Sequence, residues 1–167
     1  MNKERLLQLY AYMVASRESD IVEAELVNSG EANFLASSKG HEGSVIVAPW
    51  LIKDDYLHCH YRDKSLMLAR GISNEMFFYS ALAKAESHSA GRQMVSHMSA
   101  PEFNIMSMVG PVGNNALQAA GVAMAIKDLP SKPIVYCSVG DVTSQQGEVL
   151  EAIAEAKRAQ LPILFFI

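Results

Sequence analysis

Pro133-Ile134-Val135-Tyr136-Cys137-Ser138-Val139 and Leu161-Pro162-Ile163-Leu164-Phe165-Phe166-Ile167 are two short, almost unbroken apolar runs. Each has the length of a strand, and neither alternates polar with apolar residues, the pattern of strands buried on both faces. Pro162 is tolerable only at the start of its strand, where the missing N–H breaks no ladder. Between the runs, Gln146 to Arg158 has helical spacing, with Val149, Leu150, Ile153 and Ala156 expected to face inward. Strand, helix and strand in that order predict a βαβ unit with parallel strands and a right-handed crossover. The expected fold class is therefore α/β, a parallel sheet flanked by helices.

Working outward, Ala116 to Lys127 is rich in Ala and Met and predicts a buried helix with small faces for close packing. Residues 86–104 mix Ser, Gly, His, Pro and Asn without period and predict a loop; a loop of that length is usually functional or disordered. Ser73 is placed to cap a helix from Glu75 to Lys84, with an acid in its first turn. Another helix runs through Leu66, Met67 and Leu68 and closes at Gly71. Asp54-Asp55 turns the chain into a short extended segment, Tyr56 to Tyr61, and Val45 to Leu51 is read as a helix carrying Pro49. Near the start, Leu6, Leu7, Tyr10, Met13, Val14, Ile21 and Val22 recur at helical spacing, with Lys3, Glu4, Arg5, Arg17, Glu18 and Asp20 on other faces. This predicts one long helix, or two joined near Ser16–Ser19, stopping around Asn28-Ser29-Gly30 at an αL cap. The last residue lies inside a strand. Residues 1–167 are thus expected to be the N-terminal part of one domain of a longer protein, incomplete at its C-terminus.

Half of the 167 residues are hydrophobic and 19% are charged, which excludes a disordered chain and leaves apolar surface for a partner. Lys+Arg 14 against Asp+Glu 18 gives a net charge of −4, so no basic field is present to attract nucleic acid. The most apolar stretch, Ile105 to Ile126, is broken by Pro111, Asn114, Asn115 and Gln118, so no membrane span is expected. Met1 to Arg5 opens an amphipathic segment rather than an apolar signal core. Cys59 and Cys137 form no CxxC pair, and a reduced, cytoplasmic setting is expected.

In open α/β sheets, ligands bind beyond the carboxyl ends of the strands. There the first run continues into Gly140-Asp141-Val142-Thr143, ahead of the helix. Gly140 allows close backbone approach, Asp141 offers a hard carboxylate suited to Mg²⁺, and N–H groups opening a helix receive phosphate oxygens. On spacing alone, an ordinary βα turn with an acidic cap is the alternative. Neither GxxxxGK[ST] nor GxGxxG occurs. His58 and His60 flank Cys59 and would share one face of an extended segment, but zinc needs three or four ligands and no third is evident.

Five segments now carry a resemblance: Ser38-Lys39-Gly40-His41-Glu42; Asp54-Asp55 through Tyr61-Arg62-Asp63 to Ala69-Arg70-Gly71; Gly91 to His97; Gly110-Pro111-Val112 to Gln118-Ala119-Ala120-Gly121; and Gly140-Asp141 to Gly147-Glu148. In this order they resemble the alpha subunit of the decarboxylating component of thiamine diphosphate-dependent 2-oxo acid dehydrogenases, or the alpha half of fused alpha–beta chains. The resemblance spans about residues 5 to 167. It implies a thiamine diphosphate-binding fold and oxidative decarboxylation of pyruvate or a branched-chain 2-oxo acid, with acyl transfer to a lipoyl group. The implied partners are a beta-type subunit, or the beta half of one chain, and the lipoyl acyltransferase component.

By the same resemblance, Tyr61 and Arg62 hold the cofactor diphosphate, a role suited to the planar, permanently charged guanidinium. Gly140, Asp141, Val142 and Thr143 line the diphosphate turn, with Asp141 as first ligand to Mg²⁺. Gly110 and Val112 match the backbone stretch that meets the aminopyrimidine ring. Val109, Pro111, Asn114 and Asn115 match a monovalent cation site, possible for K⁺ in some relatives, with a loop carrying Asn caps as the alternative. His60 falls near the diphosphate end, and His97 is placed at the substrate entrance as a candidate catalytic residue, a solvated loop His being the alternative.

The sequence departs from the family twice. The acidic motif usually reads Gly-Asp-Gly, whereas Val142 stands third here, and a β-branched residue would be strained there if its φ were positive. The partner Mg²⁺ ligand, an Asn about 30 residues after the acid, falls beyond Ile167, so these residues alone are expected to bind the cofactor weakly or not at all. Two alternatives stay open: a non-catalytic alpha-like interaction domain, and another Mg²⁺-dependent α/β enzyme such as a phosphotransferase.

Overall fold

Twenty-six residues without Gly or Pro, Lys3–Asn28, form one continuous helix, α1. The Asn2 side chain accepts from the Arg5 N–H at 2.9 Å and caps its start. At the other end Gly30 takes φ +81°. Gly30 N–H donates to Val27 C=O and Glu31 N–H to Leu26 C=O, the paired bonds of a Schellman cap, so the helix stops where expected. Its faces are the reverse of simple amphipathicity. Leu9, Ser16, Ser19, Asp20 and Glu23 are buried, while Leu6, Leu7, Tyr10, Val14, Ile21 and Val22 are exposed.

The computed structural model describes residues 1–167 and divides into two compact units, one of Met1–Leu51 with Tyr61–Ser99, the other of Ile52–His60 with Ala100–Ile167. In the first unit α1 packs on α2 (Lys64–Arg70), α3 (Asn74–Ala81) and a 3₁₀ helix, Glu42–Trp50. That 3₁₀ helix is the expected Pro49-bearing helix in its tighter form. Ser73 caps α3 by accepting from Met76 N–H, as predicted, but α3 is shorter than Glu75–Lys84 implied because Ala83 turns to φ +50°. Phe77, Leu66, Met67 and Val45 supply the apolar interior of this unit.

The second unit is built on a parallel sheet in the order β1 (Tyr56–His58), β2 (Val135–Ser138), β3 (Ile163–Phe166). Tyr56 lies opposite Val135, and Val135 opposite Ile163. Both apolar runs are strands, and the short extended segment joins them as a third, but only β2, central in the sheet, is buried throughout as predicted; β3 lies at the sheet edge, half-buried with Leu164 exposed. Asp55 anchors that junction: its carboxylate accepts from Ile134 N–H at 2.8 Å and Ile52 N–H at 2.7 Å. Helices α4 (Asn114–Ile126) and α5 (Gly147–Arg158) pack against each other. Their core is Ala116, Ala119, Ala120 and Ala123 of α4 and Val149, Ala152 and Ala156 of α5, against Val135, Cys137 and Val139. Leu150 and Ile153, expected inward, are exposed. The inward stripe of α5 runs at intervals of three and four through Val149, Ala152 and Ala156, and Leu150 and Ile153 each lie one position beyond it. No helix is long and apolar enough to cross a membrane.

Residues 86–104 carry one short 3₁₀ turn, Pro101–Phe103, and otherwise no helix or strand. Gly91 sits there at φ +74°, and a Cβ on it would stand 2.4 Å from the Ala83 carbonyl oxygen. Backbone touches backbone at that point, so glycine is required.

Candidate functional site

In the second unit, the carboxyl ends of the strands gather most of the predicted residues. β2 ends at Ser138, and Gly140, Asp141 and Val142 lead into a 3₁₀ turn, Thr143–Gln145, before α5. The backbone bonds of this segment start late: Ser144 N–H donates to Gly140 C=O, Gln145 to Val142 and Gln146 to Thr143. The N–H groups of Gly140 through Thr143 donate to no group of the chain. Asp141 is exposed, and only its carbonyl is engaged, accepting the Ser144 hydroxyl at 2.6 Å. A carboxylate beside a run of open N–H groups can hold a hard cation together with an anion. Gly140 is sterically apt as well, since a Cβ there would stand 3.3 Å from Thr143 Oγ1. Val142 has φ −67° and ψ −38°, ordinary right-handed backbone, so its β-branch is unstrained and its side chain points to solvent at 72% exposure.

The start of α4 converges on the same place. Asn115 Nδ2 donates to the Ser138 carbonyl at 2.9 Å, and Asn114 Nδ2 to Glu148 Oε2 at 3.3 Å. Gly113 at φ +87° lies against Gln146 and Val149, where a Cβ would crowd both side chains. Val109, Gly110, Pro111 and Val112 run into this junction, with Gly110, Pro111 and Val112 exposed. The amides of both Asn residues are thus committed to neighbouring groups. His60 follows the end of β1 by two residues and is half-buried.

His58, by contrast, is buried within β1, and burial pushes its imidazole down to about 4. The strand ends at His58, so His58 and His60 do not share a strand face, and no group of three His, Cys, Asp or Glu side chains exists that could hold a metal.

Tyr61, Arg62 and His97 meet in the first unit. The Arg62 guanidinium lies 4.8 Å from the Tyr61 ring centre, with Nη2 3.3 Å from the Tyr61 hydroxyl. The Tyr61 and His97 rings stack at 5.3 Å and 20°. His97 Nδ1 lies 2.9 Å from the Val95 carbonyl, which can only accept; Nδ1 therefore carries the proton and Nε2 the lone pair in the neutral ring. His88, with no motif to mark it, ties this loop together: its Nε2 lies within hydrogen-bond reach of Gln93 Oε1 and the His97 carbonyl.

A buried charge cluster was missed altogether. Lys64, wholly inaccessible, donates to Asp20 Oδ1 at 2.6 Å and Glu23 Oε1 at 2.7 Å. Burial pushes Asp20 up, but Lys64, Ser37 and Ser38 outweigh it and hold the carboxyl below its ordinary value. For Glu23 burial wins over the attraction of Lys64 and the carboxyl is raised. Arg17 pairs with Glu42 at 2.5 Å, and Glu42 Oε2 accepts from Gly40 N–H, so the Ser38–Glu42 segment is held from both sides. The available signal was the spacing of Ser16, Ser19, Asp20 and Glu23, which has helical period like the apolar residues around it.

The sequence profile described as Dehydrogenase E1 component matches residues 10–167. The 2-oxoisovalerate dehydrogenase subunit alpha of Bacillus subtilis (strain 168) is 27% identical over 168 residues, covering 99% of this chain and 51% of that protein. The 3-methyl-2-oxobutanoate dehydrogenase subunit alpha of Mycobacterium tuberculosis (strain ATCC 25618 / H37Rv) is 30% identical, covering 99% of this chain and 43% of its own. The pyruvate dehydrogenase E1 component subunit alpha of Staphylococcus aureus (strain COL) is 29% identical, covering 100% and 43%. The chain thus spans about half the length, or less, of these curated relatives. With that match running through both units and every predicted site residue, the chain belongs to the dehydrogenase E1 component family.

Proposed function

We propose that this chain supplies the diphosphate- and Mg²⁺-binding half of a thiamine diphosphate-dependent 2-oxo acid dehydrogenase, the decarboxylating component acting on pyruvate or a branched-chain 2-oxo acid. The observation that carries the proposal is the exposed Asp141 carboxylate beside the open N–H groups of Gly140 to Thr143, at the carboxyl end of β2. Those groups fit a cation–diphosphate pair, and the unstrained backbone of Val142 supports a turn that accommodates it. In the second unit Asp141 would ligate Mg²⁺ and the neighbouring N–H groups would take diphosphate oxygens; in the first, Tyr61 and the permanently charged Arg62 have the chemistry to bind phosphate oxygens. Gly110 and Val112 would meet the aminopyrimidine through their backbone, and Val109, Pro111, Asn114 and Asn115 would hold a monovalent cation such as K⁺. His60 and His97 remain candidates for handling protons, and Nε2 of His97 is the atom able to accept one.

Thiamine diphosphate, when bound, supplies the electron sink for loss of CO₂ from the 2-oxo acid. Residues 1–167 act as the N-terminal part of one cofactor-binding domain that works with a beta-type half, in the cytoplasm, passing acyl groups to a lipoyl acyltransferase. A phosphotransferase using Asp141 would leave Tyr61-Arg62 and the Gly91–His97 segment without a task. The test is calorimetric titration of the assembled protein with thiamine diphosphate, with and without Mg²⁺. Binding should require Mg²⁺ and fall at least tenfold in Asp141→Asn; equal affinity in the variant would refute the assignment.

A further inference from the structure

Arg62 does not hold its place by itself. Its Nη1 donates to the Ser37 carbonyl at 2.9 Å. That carbonyl belongs to the same peptide group as the Ser38 N–H, which donates to Asp20 Oδ2 at 2.6 Å. The peptide is trans, so its C=O and N–H point in opposite directions from one rigid plane. Asp20 thus grips one edge of a plate whose other edge carries Arg62. The same carboxylate oxygen accepts the Ser37 hydroxyl at 2.8 Å and the Ser38 hydroxyl at 3.1 Å, and the other oxygen is fixed by Lys64. Asp20 and Lys64 are buried, so this anchor is shielded from water. A negative acceptor on the N–H also polarises the peptide and makes its carbonyl a stronger acceptor for the guanidinium.

We propose that Asp20 is a positioning residue that acts through the Ser37–Ser38 peptide to aim the Arg62 guanidinium at the cofactor diphosphate. This rests on the assignment of Arg62 to the diphosphate. Lys64 completes the relay by preventing Asp20 from turning away, and Glu23 shares Lys64 without touching the peptide.

The test is a double-mutant cycle on the assembled protein, read as the dissociation constant of Mg²⁺–thiamine diphosphate by calorimetry. Arg62→Gln should weaken binding, and Asp20→Asn should weaken it by about tenfold, within the range of coupling between connected residues. In the Arg62→Gln background, Asp20→Asn should cost nothing further. Should Asp20→Asn fail to assemble, Ser37→Ala, which deletes one hydroxyl from the clamp at a half-buried position, decides the matter with a smaller loss of about threefold and the same non-additivity. An equal loss in both backgrounds, or no loss from either clamp variant, overturns the positioning role while leaving the diphosphate assignment standing. Unchanged affinity in Arg62→Gln alone overturns that assignment and the proposal with it.

Discussion

Helix α1 turns Ser16, Ser19, Asp20 and Glu23 inward; helix α4 turns Ala116, Ala119, Ala120 and Ala123 inward. The two stripes have the same spacing, yet one buries charge and the other only methyl groups. In the first unit two carboxylates converge on Lys64; Asp20 also accepts from two serine hydroxyls and a backbone N–H, while Glu23 Oε2 is buried without a partner. In the second, alanine lets α4 approach β2 and α5 closely, and the buried imidazole, His58, is kept neutral. Buried ion pairs rarely add stability over a well-packed apolar core, because desolvation cancels much of the attraction. Asp20 and Arg17 tie α1 to the 37–42 segment through Ser37, Ser38 and Glu42, whereas the alanines of α4 serve close packing.

The largest effect should come from Lys64→Met. Removing the ammonium leaves Asp20 and Glu23 buried without their cation, a loss of about 3–5 kcal/mol. Hydrogen exchange resolved by segment should show protection falling in 1–51 and 61–99 but not in 100–167; uniform loss would break the contrast between the units.

Acid should separate the units next, because two buried groups respond in opposite senses. His58 titrates near 4 when folded against an ordinary 6.5. Its contribution is complete above pH 6.5 and is lost as pH falls toward 4, where only the unfolded chain takes the proton, a total of about 3 kcal/mol. Glu23 is raised when folded, so its contribution is complete below 4.5 and is lost as pH rises through the folded value. Urea midpoints across pH 4.5 to 7.5 should therefore fall with acid in the native chain and flatten in His58→Leu. A slope unchanged by that substitution would show that the imidazole is not held neutral.

How far sequence alone reached follows from the same contrast. The strands of residues 135–138 and 163–166 were legible because each apolar run is unbroken and of strand length, but the run did not separate the central β2, buried on both faces, from the edge strand β3, which leaves Leu164 exposed. The caps at Gly30 and Ser73 were legible because they are local. β1 was legible only as an extended segment, since its partner lies 79 residues away at the Asp55–Ile134 contact and three residues carry little pattern. The inward face of α1 was misleading for a physical reason: period shows that a stripe exists, not which of two stripes is buried, and Lys64 is distant in sequence. The place of Gly140 and Asp141 in the turn between β2 and α5 was legible from the strand–turn–helix order. The relay from Asp20 to Arg62 was not, because it passes through a backbone carbonyl that no residue type announces.

The smallest effect sharpens the packing half of the comparison. Ala123→Leu, wholly buried on α4, should cost about 1–3 kcal/mol by overpacking, whereas Ala125→Leu on the exposed side should cost nothing measurable in thermal denaturation. Equal tolerance at both positions would mean that the alanine stripe is not a close-packed seam.

The most direct test of the functional account is a crystal structure of the assembled protein grown with Mg²⁺ and thiamine diphosphate. An Asp141 oxygen is expected in the Mg²⁺ coordination sphere, with the N–H groups of Gly140 to Thr143 facing diphosphate oxygens. A structure with cofactor bound elsewhere and Asp141 in bulk solvent would contradict it.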